Sequence, residues 1–152
     1  MSMTAAQVTQ LTAPNQTVEA PNGASYAYRR LGEPSASAPP LVSFQHFRGK
    51  LDNWDPALVD ALARTREVIL FDNVGVGGSS GTVPRTVTAM AHHALSFVDA
   101  LEVREIDVLG YSLGGCVARA PPERPAEDLP GCRARLPLSS TRPTSPAKSS
   151  GS

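Results

Sequence analysis

Cysteine is scarce: the chain holds 2 in 152 residues, Cys116 and Cys132. Two thiols do not make a disulfide framework. Nor do they sit at metal-ligand spacing with the histidines, so no metal site is expected. Charge of one sign is missing as well. The formal net charge is zero, so no bulk pull toward nucleic acid or an anionic membrane is expected. No apolar run is long enough to span a bilayer. Met1 to Gln16 lacks a basic start followed by an apolar stretch, so no secretory leader is expected. A cytoplasmic, single-domain protein is the reading these absences leave.

What is present is an alternation of strand-like and helix-like segments. Residues 1–15 are polar and small, and are expected to be disordered. Gln16–Ala20 and Ala24–Arg30 read as a strand pair around Pro21-Asn22-Gly23, where Asn-Gly supplies the positive φ of a tight turn. Residues 33–40 form a Pro/Ser/Ala linker. Leu41-Val42-Ser43-Phe44 is a short apolar strand, followed by the loop Gln45-His46-Phe47-Arg48-Gly49-Lys50. Asp55 reads as a helix N-cap with Pro56 at the first helical position. Leu58, Val59 and Leu62 mark that helix's apolar face. Glu67–Phe71 is a buried strand by its unbroken apolar run. Thr86 caps a further helix, on which Met90, Ala94, Phe97, Val98 and Leu101 recur at helical spacing. Strand-like Glu105–Leu109 comes last. Such alternation implies a parallel α/β sheet with right-handed crossovers.

That final strand runs into Gly110-Tyr111-Ser112-Leu113-Gly114-Gly115, a Gly-x-Ser-x-Gly between a strand and a helix. A serine there sits in a sharp turn with its hydroxyl raised above the sheet. Gly110 and Gly114 lie where a Cβ would collide as strand and helix converge. The helix N-terminus turns free N–H groups and its positive dipole end toward the serine.

With two loops upstream, these residues resemble the α/β-hydrolase superfamily over about residues 15–120. The resemblance implies a partial α/β-hydrolase sheet: an opening antiparallel hairpin, then parallel strands with crossover helices. It implies Ser112 as nucleophile for ester, amide or related acyl hydrolysis, with no cofactor and a small-molecule substrate. Gln45-His46-Phe47-Arg48-Gly49 is similar to the family's His-Gly-x-x-Gly loop, with Gln45 and His46 in place of the His-Gly pair. By that match the oxyanion donors are the backbone N–H groups of Phe47 and Leu113. Asp72-Asn73-Val74-Gly75-Val76-Gly77-Gly78-Ser79 is similar to a structural loop of the family.

Two other readings belong to different classes. Gly75-x-Gly77 approaches a nucleotide-binding fingerprint, but position 80 is Ser and the loop holds no Lys, so neither the dinucleotide nor the P-loop pattern is met. An inactive fragment or non-enzymatic interaction protein is the other reading. A serine hydroxyl needs a general base, and in this fold the acid and His follow the serine. His46, His92 and His93 all precede Ser112. Glu123, Glu127 and Asp128 follow it, in a stretch of different character.

Residues 121–152 hold half of the 14 prolines, with many Ser and Arg. Pro121-Pro122 ends the helix, and no strand-length apolar segment follows. This tail is expected to be disordered, and a shifted reading frame would produce such a switch. With no later strand, the edge of strand 105–109 is expected to lie open and to invite self-association.

Overall fold

Val68-Ile69-Leu70-Phe71 is apolar at every position, and such a strand needs cover on both faces. The computed structural model, which describes residues 8–119 and 133–135, places it inside a mixed sheet. In chain order the strands are β1 (Gln16–Glu19), β2 (Ser25–Leu31), β3 (Leu41–Phe44), β4 (Val68–Phe71), β5 (Glu105–Gly110) and β6 (Arg133–Arg135). The helices are α1 (Pro56–Ala63), α2 (Val87–Ala100) and α3 (Leu113–Arg119). The sheet order is β1-β2-β4-β3-β5-β6. β1 and β2 form an antiparallel hairpin, β2 runs antiparallel to β4, and β4, β3, β5 and β6 are mutually parallel.

Strand alternation divides the core in two. Val42, Phe44, Ile69, Phe71, Ile106 and Val108 point to one face, where Ala94, Phe97 and Val98 of α2 and Val117 of α3 cover them. Val68, Leu70 and Leu109 point to the other, against Val59 and Ala63 of α1 and Trp54. The chain leaves β3 toward β4 through α1, then returns past β3 to β5 through α2. Crossovers of one hand taken in opposite directions put their helices on opposite faces. They also open a crevice at the carboxyl ends of β3 and β5, where such sheets bind ligands.

The caps are as expected: Asp55 Oδ1 accepts from Ala57 N at 2.8 Å, and Thr86 Oγ1 from Ala89 N at 3.1 Å. The hairpin turn falls on the expected residues. Ala20 N donates to Ala24 O and Gly23 N to Ala20 O, with positive φ at Gly23 (81°) and not at Asn22. That is the expected loop of Pro21-Asn22-Gly23, closed by a left-handed glycine.

Three expectations are corrected. Leu58, expected on the apolar face of α1, is 45% exposed, while Val59 and Ala63 are buried. A helix this short turns too narrow a stripe toward the sheet to include it. Residues 8–15 do not form a disordered lead-in; residues 1–7 lie outside the described residues. Gln10 is buried, its N–H donating to Asp60 Oδ1 at 2.7 Å and its Nε2 to the Leu51 carbonyl at 2.8 Å. Arg29 adds two more, from Nε to Asn15 Oδ1 at 2.6 Å and from Nη1 to the Gln10 carbonyl at 3.3 Å, and composition carries no sign of any of them. Finally, a strand does follow β5: Arg133–Arg135 pairs with Glu105–Asp107. The edge of β5 is thus covered over half its length, because backbone pairing asks nothing of side-chain polarity. Residues 120–132 and 136–152 lie outside the described residues, and the expectation of disorder there is not addressed by them.

The aromatic residues, though few, concentrate at the α2 face. Phe97 stacks on Phe71 with centroids 4.3 Å apart and lies 5.4 Å from Tyr26. The Tyr26 hydroxyl donates to the His93 carbonyl at 2.9 Å and accepts from Asn22 Nδ2 at 2.9 Å. Burial raises the Tyr26 pKa above its ordinary 10.0, and the Asn22 hydrogen bond opposes this only in part. A raised pKa means that the unfolded chain gives up this proton first. The associated stability is whole below pH 10 and is lost as pH climbs toward the folded value. Chemical-denaturation midpoints are therefore expected to fall from pH 10 upward in wild type and to fall less steeply in Tyr26→Phe.

Candidate active site

The expected nucleophile sits where β5 hands over to α3. Ser112 has φ +55°, the left-handed region that costs a residue with a Cβ about 1–2 kcal/mol. The turn is pinned on both sides. Tyr111 N donates to the Phe44 carbonyl at the end of β3 (3.0 Å), Gly114 N to Tyr111 O (3.0 Å) and Gly115 N to Ser112 O (2.9 Å). A Cβ on Gly114 would collide with the Phe44 carbonyl oxygen and stand 2.6 Å from that of Gln45. One on Gly110 would stand 2.5 Å from Gly115 Cα. Both glycines are thus fixed by backbone approach. Ser112 is exposed.

The 45–49 loop lies beside this turn. The His46 ring packs edge-on against Tyr111 with centroids 5.8 Å apart. His46 Nδ1 is 3.0 Å from the Phe47 carbonyl, an acceptor only, which fixes a proton on Nδ1. Gln45 is buried, its Oε1 accepting from His46 N at 2.9 Å. A Cβ on Gly49 would run into the Gln45 side chain, so the loop's glycine is there to admit Gln45. Gly49 N donates to His46 O at 2.9 Å, and Arg48 within that turn has φ +60°. Nothing in the residue pattern signals a left-handed arginine.

The structure brings Phe47 and Leu113 to one small cavity, together with Gln45, Val74, Met90 and Val117. Its volume is about 20 Å³, room for roughly one water. Ser112 is not in its lining. Leu113 opens α3, so its N–H has no acceptor within the helix. An open groove continues from Phe47 and Leu113 past Val83 and Pro84 to Thr86 at the start of α2.

The 72–81 loop is braced by its own carboxylate. Buried Asp72 accepts from Leu51 N at 2.7 Å through Oδ1 and from Gly78 N at 2.9 Å through Oδ2. A Cβ on Gly77 would collide with Oδ2. The loop thus already holds an anion of the chain's own, and α2 starts at Val87, beyond it. This weighs against a nucleotide phosphate there. Asp72→Asn offers one acceptor oxygen and turns an NH₂ on the second donor. It is expected to cost about 2 kcal/mol in urea unfolding, the scale of a hydrogen bond to a charged group.

Of the histidines, His46 packs beside the Ser112 turn against Tyr111, while His92 and His93 lie on α2. His93 Nδ1 accepts from Asn22 Nδ2 at 2.8 Å, tying α2 to the hairpin, and His92 lies half-buried on α2. Cys116 is exposed; Cys132 and the acids 123, 127 and 128 lie outside the described residues. Among the described residues no group of three His, Cys, Asp or Glu could hold a metal, and no helix is long and apolar enough to cross a membrane.

Comparison with known proteins bears on this arrangement. The profile of the alpha/beta hydrolase fold matches residues 39–126. The chain belongs to the α/β-hydrolase fold family. It is 34% identical over 90 residues to "Putative carbamate hydrolase RutD" of Azorhizobium caulinodans, covering 56% of this chain and 34% of that protein. It is 32% identical over 127 residues to a poly(3-hydroxyalkanoate) depolymerase of Ectopseudomonas oleovorans, covering 83% of this chain and 42% of that one. Among solved structures, an alpha/beta hydrolase fold protein from Chitinophaga pinensis superposes with a TM-score of 0.67 at 55% identity. It covers 70% of this chain and 38% of that one. The chain therefore spans about a third to two fifths of the length of these relatives.

Proposed function

We propose that the chain carries the nucleophile half of an acyl-hydrolase site. The observation that supports it is the left-handed backbone of Ser112 at the β5–α3 junction, held between glycines that tolerate no side chain. In this reading Ser112 Oγ adds to the carbonyl carbon of an ester or related acyl substrate. The Phe47 and Leu113 N–H groups stabilise the developing oxyanion, each donor being worth about 3 kcal/mol of barrier. The tetrahedral adduct then expels the alcohol, which leaves with the serine's proton, and water releases the acid from the acyl-enzyme. No step calls on a cofactor.

Moving that proton needs a base, and no histidine of the sequence follows Ser112. A second reading, an inactive fragment or interaction protein, rests on this. Self-association through the β5 edge belongs to it: among the described residues, the pairing with β6 reaches only residues 105–107. Covalent labelling by an activated phosphonate, with Ser112→Ala as control, separates the two readings.

A further inference from the structure

The groove leading away from Phe47 and Leu113 has an apolar floor, with Val83 and Met90, and two cations, Arg48 and Arg85. Among the described residues, neither its lining nor that of the adjoining cavity includes an acidic residue. Both arginines are exposed. The three ion pairs among the described residues use Arg29, Arg30 and Arg66 instead. Arg48 Cζ lies 5.9 Å from the Phe47 ring centroid, so its guanidinium stays with the aromatic wall of the groove. Its left-handed backbone is one that glycine would adopt without strain; a strained residue at a cleft is a pointer to function. Two guanidiniums with no carboxylate among the described lining residues, beside an apolar channel, complement one kind of occupant.

We infer that this groove receives the acyl portion of a substrate carrying a carboxylate remote from the scissile ester. The inference rests on the hydrolase reading of Ser112 for the word substrate, though the binding itself does not. The alkyl segment lies over Met90 and Val83, and the distal carboxylate meets the guanidiniums, whose forked donors match its geometry.

Full-length Ser112→Ala protein, which cannot turn over, is titrated with monomethyl adipate and with dimethyl adipate at low salt, followed by amide chemical shifts. The charged monoester is expected to bind roughly tenfold more tightly, the range open to two exposed charge pairs acting together. The preference is expected to shrink as salt rises and to fall below about twofold in Arg48→Met/Arg85→Met. Equal affinities, no binding of either ester, or a preference unchanged by the arginine substitutions would overturn it. Wild type that binds the monoester but takes no phosphonate label would remove the hydrolase reading and leave the anion site standing.

Discussion

An activated phosphonate is expected to label the chain at one residue, and Ser112→Ala is expected to reduce labelling to background. The reagent imitates the acyl transition state, so it reports the nucleophile and its oxyanion donors together. Loss of the catalytic serine in the subtilisin example lowers turnover by about a millionfold, and labelling depends still more directly on the oxygen. Ser112→Gly should lose labelling equally while relieving the left-handed strain, so its denaturation midpoint should match or exceed that of Ser112→Ala. Mass spectrometry of the intact and digested protein gives the site and extent. Label that persists in Ser112→Ala would move the nucleophile elsewhere; no label on wild type would favour the inactive reading.

The largest loss of stability is expected from Gly114→Ala. The new methyl would meet two main-chain carbonyl oxygens, those of Phe44 and Gln45, and neither can rotate aside as a side chain would. The last residue of β3 also accepts from Tyr111 N, so moving it disturbs the parallel pairing of β3 with β5. Overpacking a tight site costs about 1–3 kcal/mol where side chains can give, and more where backbone must. We expect above about 3 kcal/mol, a large share of the 5–15 kcal/mol a domain usually has. Gly115→Ala is the control: its added methyl finds nothing nearer than 3.6 Å, and alanine suits a helix better than glycine by about 1 kcal/mol. Urea unfolding followed by circular dichroism ranks the two. If both variants unfold together with wild type, the close approach of α3 to β3 is not as described.

Much of the scaffold was legible in the residues. Leu41–Phe44 is a strand at the expected boundaries because a short apolar run between a proline linker and a polar loop has few alternatives. Asp55-Pro56 and Thr86 mark helix starts because capping is local chemistry, settled within three residues. The contrast is Gln10. Its burial depends on Asp60 and Leu51, far along the chain, and no local pattern announces a polar residue that finds distant partners. β6 has no local signature for a related reason: Arg133–Arg135 joins the sheet through its backbone, and its side chains carry no apolar pattern.

By itself the sequence determined the family, the alternation of strands and helices, and the serine between two glycines at the end of a strand. Those signals are covalent neighbours, so spacing alone carries them. Only the tertiary structure decided that the 45–49 loop stands against the Ser112 turn, that Asp72 braces its loop from within, and that Arg48 and Arg85 share a groove with Leu113. Such placements depend on the order of strands across the sheet. That order is fixed by which faces bury together, not by which residues follow one another.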